Sequence, residues 1–542
     1  MTRSLAMAAV AAAVTAQFAL ASDVSAATPE AGLSLPTDRD AFTRLGHGLR
    51  DRAETAIDVH GWLRGRGEVL GNFDLDRGLT PSGQPLFPVP LSDPSAQTLR
   101  HADMRLRTDI DVFAPRGGVA VHLRLDLLDN VGLGDTPAGP PLATTSQQAD
   151  GGSIRIRRAW AETLTPFGVI AAGRMSGHWG LGMLSHGGDG LDSDSGDAND
   201  RIAFATPLLG LIWAAAWDFS AAGPSAQRTA PGRTIDLDPR DDVRSVSFAV
   251  MRWEDELARA RRARAGQLTF HAGLLVSHRW QEVDVPSVWL GSTAAPTATS
   301  VVPRGFRATA ADLWLRLEGS WLRIEAEAAV LAGTVDQATL VPGILMRDPI
   351  EALQLGVAVQ SDFGRIGAAN SGLSGGLDGG YASGDPAPGF GASQPAGAAA
   401  PTAGDLDGPQ ADPPRDTRLD AFRFHPDYRV DRILFREIVG RVVDALYLRP
   451  HLAWRIADFG NGRLELELAA TASWAVAAES TPGGASALGV ELDPTVSYIS
   501  RDGFDVRIEG GVLWPGAGFD NPDAGLAATT AWMTRVRLGW RF

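Results

Sequence analysis

The chain has 542 residues, no cysteine and a formal net charge of −15. The missing cysteines exclude disulfides, thiol chemistry and cysteine-held metals, and the acidic balance speaks against a nucleic-acid partner. All 49 basic residues are arginine. GC-rich coding accounts for that bias, and two-pronged binding of carboxylate or phosphate would also exploit it.

The first predicted element is a secretory signal peptide over residues 1–26. Arg3 supplies the positive start, residues 5–21 an almost unbroken apolar run, and Val24-Ser25-Ala26 the small-x-small cleavage pattern. Residues 27–53 form an N-terminal periplasmic segment, in which Phe42, Leu45 and Leu49 share helical spacing. A small periplasmic helix is the favoured reading there, and a segment tucked into a pore mouth is the other. No later stretch holds 18 uninterrupted apolar residues, so membrane-spanning helices are excluded by length.

From residue 54 to 542 the pattern is one of alternation. Ile57, Val59 and Leu63 face Asp58, His60 and Arg64. Over 101–112, Ala102, Met104, Leu106, Thr108, Ile110 and Val112 share one face; His101, Asp103, Arg105, Arg107, Asp109 and Asp111 share the other. A soluble sandwich seldom puts five charges on one face of one strand. A membrane barrel turns such a face to a wet lumen and its apolar reverse to lipid. The period recurs around Arg124, Arg155, Arg157, Arg323, Glu325, Glu327, Glu465 and Glu467. Short Gly/Pro/Asn-rich turns alternate with long connections, the signature of periplasmic turns and extracellular loops. The count comes to about 18 strands, with 16 as the alternative. Three parts are ambiguous. A strand is placed at 365–373 mainly for parity. Residues 201–218 are either one bent strand or a hairpin. The stretch 430–456 opens with a short helix. Residues 254–266 suit a helical periplasmic turn. The predicted fold is therefore all-β: a transmembrane antiparallel β-barrel.

Within the third long loop, 176–200, Asp189, Asp192, Asp194 and Asp197 stand among glycines. Carboxylates at alternate positions before a glycine suit calcium, although the loop lacks the twelfth-position Glu of an EF-hand. A solvated acidic loop and a selectivity ring are the other readings. The lumen residues Arg105, Arg107, Asp109, Asp111, Arg124, Arg155, Arg157, Arg323, Glu325 and Glu327 either orient passing solutes or pair across strands as a polar filling. Ser277-His278 and Ser185-His186 adjoin in sequence, but strand neighbours point to opposite faces, so an enzyme is not expected. Trp253, Trp280, Trp321, Trp514, Trp532 and Trp540 fall near predicted strand ends, as aromatic girdles require.

The last predicted strand sets Trp532, Thr534, Val536, Leu538, Trp540 and Phe542 on one parity. It resembles the C-terminal sorting strand of outer-membrane proteins, which implies that Trp540 and Phe542 are read by the barrel-assembly machinery. The whole chain resembles Gram-negative porin-like outer-membrane barrels. Gly380-Tyr381-Ala382-Ser383-Gly384-Asp385, placed early in the longest loop, and Gly511-Val512-Leu513-Trp514-Pro515-Gly516 with Phe519 look nearest to alginate-export-type barrels. Arg158-Ala159-Trp160, Gly173-Arg174-Met175 and His178-Trp179-Gly180 fit the same likeness. The resemblance implies an outer-membrane lipid surround, a third loop that often folds inward, and passage of small polar or anionic solutes. Export of an anionic polysaccharide and a non-conducting scaffold with binding loops are the alternatives.

Overall fold

A computed structural model describes residues 42–46, 49, 54–93, 97–133, 154–220, 227–230, 233–235, 238–286, 298–339, 341–364, 372–390, 402–406, 411 and 415–542. The predicted signal peptide and most of 27–53 lie outside them. In chain order the strands are β1 (Ala56–Gly71), β2 (Thr98–Ala114), β3 (Val119–Gly132), β4 (Arg155–Thr165), β5 (Gly168–Ser176), β6 (Ala198–Leu208), β7 (Leu211–Ser220), β8 (Gln227–Ala230), β9 (Arg233–Ile235), β10 (Val243–Arg252), β11 (Thr269–Gln281), β12 (Phe306–Glu318), β13 (Leu322–Val335), β14 (Ile350–Gly364), β15 (Leu373–Ala382), β16 (Ala445–Phe459), β17 (Gly462–Ala475), β18 (Ala487–Ser500), β19 (Phe504–Pro515) and β20 (Ala531–Arg541). β8 and β9 form a separate hairpin within the fourth long loop. The other 18 strands make one antiparallel sheet that closes where β1 pairs with β20, Leu63 opposite Trp540 and Gly71 opposite Trp532.

Burial in this barrel is inverted relative to a soluble protein. Arg64 and Arg105 are fully buried, whereas Leu313 is 45% and Leu452 55% exposed. Along β20, Trp532, Val536 and Trp540 are exposed while Met533, Arg535 and Arg537 are buried, the parity read from the sequence. Trp217, Trp474, Trp514 and Trp532 lie exposed toward the long-loop ends of their strands; Trp321, Phe363, Phe459 and Trp540 lie exposed toward the short-turn ends. These are the two girdles of a spanning barrel. Trp253 departs from the expectation. It packs against Trp314, ring centroids 5.8 Å apart, with the Arg316 guanidinium 5.9 Å from its ring centroid.

Several sequence expectations are refined. Residues 201–218 are a hairpin, β6 and β7, turning at Leu209-Gly210. The helical turn is Glu256–Arg264, capped by the Asp255 carboxylate accepting the Ala258 N–H at 2.7 Å. The strand placed at 365–373 is displaced: β15 runs Leu373–Ala382, and 365–371 lie outside the described residues. Its glycines hide it. A Cβ at Gly380 would come within 2.3 Å of the Tyr447 ring of β16, so the neighbouring strand supplies the bulk that alternation would have revealed. Gly380-Tyr381-Ala382 accordingly ends a strand rather than starting a loop. The helix proposed to open 430–456 is a single π-turn, Leu434–Ile438. The described part of 27–53 is no free periplasmic helix. Phe42 packs inside the wall among Ala171, Ala203 and Ala216 beneath Arg201, and the Gly46 N–H donates to Glu162 at 3.1 Å.

Candidate functional site

Two connections leave the rim and enter the lumen. The first is the third long loop, 177–197. One end is pinned to the β11–β13 wall. Trp179 is 1% exposed, and its indole lies over Gly273, where an added Cβ would approach it within 2.9 Å. Glu327 of β13 accepts the Leu184 N–H at 3.2 Å and the Met183 N–H at 3.4 Å. The far end reaches β1–β4 and β20. The loop thus spans the barrel, because acceptors and glycine room on one wall and guanidinium groups on the other satisfy its polar backbone and carboxylates.

The second is the stretch 420–443 of the longest loop. Phe422, Phe424, Tyr428, Ile433 and Phe435 are buried in one apolar cluster, with Phe422 seated over Gly356 of β14. The π-turn is held from the wall: Glu491 of β18 accepts N–H bonds from Arg432 (2.8 Å), Ile433 (2.8 Å) and Leu434 (3.0 Å). Asp427 clasps the two inward segments together. It accepts the Ser195 N–H at 2.9 Å, the Asp194 N–H at 3.2 Å and the Ser193 hydroxyl.

Most of the charged residues read from the alternation are consumed by pairing. Arg107 donates to Asp126 (2.6 Å), Arg124 to Asp109 (2.6 Å), and Arg323 to Asp362 (2.8 Å). Asp111 meets His122 (2.6 Å), Arg157 meets Asp126 (2.8 Å), and Glu325 meets Arg316 (3.1 Å). Arg105 reaches Asp129 at 2.9 Å. Arg155 is the most exposed of them. Its side chain is 61% exposed at the mouth, 3.2 Å from Asp129. A register shift between β3 and β4 at Arg124/Leu125 leaves Arg157 unpaired in the ladder and re-aims the strand. Arg158 and Glu162 therefore point inward as well, against the parity counted from Arg155. Strict period-2 counting missed both.

The acidic loop residues meet arginine rather than one another. Asp189 is bound by Arg124 and, at 2.9 Å, Arg158. Asp192 takes Arg436 at 2.6 Å and Arg537 at 3.0 Å; Asp194 takes Arg66 and Arg429, each at 2.9 Å. Asp197 lies 3.5 Å from His425. Burial raises the Asp189, Asp192 and Asp194 carboxyls, but the surrounding guanidinium groups outweigh it and hold all three below the usual range. The calcium expectation thus meets a different geometry. Among the described residues, the group of donor atoms close enough for a shared cation is His186, His425 and Asp427, not the four loop acids. The Nδ1 atoms of both histidines already accept backbone N–H groups, from Gly188 and Asp427, which makes them poor ligands through that nitrogen.

Between the second inward segment and the β13–β16 wall remains a polar cavity of about 190 Å³. Arg323, Asp362, Asp378, Arg429, Arg449 and His451 line it. Arg449 donates to Asp378 at 2.7 Å, and His451 lies 3.2 Å from Asp362. The hydroxyls of Tyr428 on the inward segment and Tyr447 on β16 are 3.3 Å apart. The sequence signal for Arg449 and His451 was present: with Tyr447 they oppose Leu446, Leu448 and Leu452. Arg429 sits in irregular chain and carried none.

A closed 18-strand sheet with an apolar exterior, two aromatic girdles and a charged interior defines a transmembrane β-barrel of the outer-membrane type. No family model matches the chain, and no curated protein matches it. Among solved structures it is similar to OccK11 (OpdR) of Pseudomonas aeruginosa, with 10% identity over 90% of this chain and 96% of that one and a TM-score of 0.43. It is also similar to a BenF-like porin from Pseudomonas fluorescens Pf-5, with 8% identity, 90% and 98% coverage and a TM-score of 0.43. A third is the anion-selective porin from Comamonas acidovorans, with 10% identity, 90% and 100% coverage and a TM-score of 0.38.

Proposed function

We propose that this barrel is an outer-membrane channel for small polar or anionic solutes, which pass through a lumen lined by arginine, aspartate and glutamate. The observation that carries the reading is the cavity left between residues 428–430 and the β13–β16 wall. Arg429 faces it from the inward segment, and Arg323, Asp362, Asp378, Arg449 and His451 face it from the wall, so a polar solute in the gap would meet charged groups on both sides. Both inward segments would have to leave before a folded or polymeric cargo could fit, so small solutes suit the geometry better than polysaccharide. Planar-bilayer recording of the purified, refolded barrel tests it. Discrete current steps are expected, and Arg449→Glu should lower the preference for anions over cations. A refolded barrel that shows no steps removes the channel reading.

A further inference from the structure

The Asp192-Ser193-Asp194 finger is seated in a nest of guanidinium groups drawn from three parts of the chain. Arg64 and Arg66 come from β1 and Arg105 from β2; Arg429 and Arg436 come from the second inward segment, and Arg535 and Arg537 from β20. All seven lie within 4.0 Å of one of the two carboxylates. Pairing with the wall accounts for only part of this charge. The other carboxylates these arginines touch are Asp103, Glu68, Asp129, Asp427, Glu437 and Glu509. Six partners for seven arginines leave an unbalanced positive charge once the finger is withdrawn.

A second observation points the same way. Arg105 and Arg535 are 0% and 1% exposed. Arg105 Nη2 lies 3.8 Å from Asp194, Arg535 Nη1 lies between Glu509 (3.8 Å) and Asp192 (4.0 Å), and neither atom has a hydrogen-bond acceptor. Buried donors aimed at a carboxylate yet beyond its bonding reach would be better satisfied by a larger oxyanion. Two side-chain carboxylates two residues apart are small occupants for so many donors.

We infer that this nest is a binding site for an anion bearing two oxyanionic groups, and that the Asp192-Ser193-Asp194 finger occupies it as a built-in pseudo-ligand. The finger is covalently tethered, so it competes at high effective concentration. Its carboxylates copy the charges of the ligand, and Asp427 holds its backbone. An arriving dianion takes over the guanidinium contacts, and the finger retreats toward the lumen axis. The inference goes beyond solute passage and does not depend on it, because it concerns binding within the wall.

The test is a binding measurement on the full-length barrel in detergent, separate from conductance. Inorganic pyrophosphate is the probe, with succinate in a parallel arm to separate diphosphate from dicarboxylate recognition and potassium chloride matching the ionic strength. Finger withdrawal limits affinity in the wild type, so Asp192→Asn with Asp194→Asn should bind pyrophosphate about tenfold more tightly or better. The chain has no native cysteine, which allows a second readout that keeps both Asp192 and Asp194. Ser193→Cys, buried in the seated finger, should be labelled by a maleimide several times faster with pyrophosphate or succinate, and not with chloride. Equal affinity in wild type and double variant, or labelling indifferent to both dianions, would overturn the inference. If the double variant fails to refold, the labelling result alone decides.

Discussion

Leu313 offers a direct measurement of which side of the wall meets hydrocarbon. It lies on the outward face of β12 between Leu274 of β11 and Ala328 of β13, 45% exposed. On a water-soluble protein, an exposed Leu→Arg change stays within about 0.5 kcal/mol. Here the geometry predicts much more. Leu313 is seven residues from Phe306 and five from Glu318. At about 3.3 Å per residue and a tilt near 40°, that puts it roughly 13–18 Å below either end of the strand. An arginine cannot readily lift its guanidinium over that depth, so Leu313→Arg should carry the midplane penalty of about 2–4 kcal/mol. Leu446, 48% exposed at the loop end of β16, is the control, with an expected loss of about 0–1 kcal/mol near the interface. The assay is reversible denaturant unfolding of both variants in lipid vesicles. Equal losses at the two positions, or a loss below about 0.5 kcal/mol at Leu313, would refute the assignment of that face to lipid.

Inside the wall, Asp126 is fully buried between Arg107 (2.6 Å) and Arg157 (2.8 Å). Asp126→Asn leaves the buried Arg107 without its counter-charge, while Arg157 keeps Asp129 at 2.7 Å, and should cost about 3–5 kcal/mol by the same unfolding assay; a loss under about 1 kcal/mol would mean that the pairing is incidental. The inward stretch 420–443 should respond to pH. Burial, and then Asp493 nearby, push the Asp431 carboxyl up to about 8. Glu491 and Asp493 face it on the acidic side, and Arg449 on the basic side. The seated segment therefore holds Asp431 protonated. Seating is fully favoured below the free carboxyl range and weakens as the pH rises through about 8. Protease cleavage within 420–443 should rise between pH 5 and pH 9, and Asp431→Asn should flatten the rise; a flat wild-type profile would contradict the assignment.

The barrel could be read from the sequence because its wall obeys a local rule. On β2 and β20 the alternation of Arg and Asp with Leu, Ile and Val reports inside and outside residue by residue, without knowledge of partners. The rule failed where side-chain volume came from elsewhere, as in the glycines of β15 under Tyr447, and where a bulge shifted parity, as at Arg157. The site was less legible. The acids of the third loop were recognised as a cluster, but their partners Arg64, Arg66, Arg436 and Arg537 lie far away in sequence, and nothing local tells an aspartate awaiting calcium from one awaiting arginine. Arg429 and Asp427 could not be foreseen, since their roles arise only when two loops meet inside a closed wall.

The place where the finger lands has a consequence for assembly. Asp192 touches Arg66 on the first strand and both Arg535 and Arg537 on the last. It therefore straddles the joint at which the first and last strands of the sheet meet. A single carboxylate from a distant loop acts there as a buckle across the belt's two ends, fastened only after both have arrived. Any process that pries the wall apart sideways at that joint must first undo the buckle, so the meeting of the chain's two end strands is guarded from within.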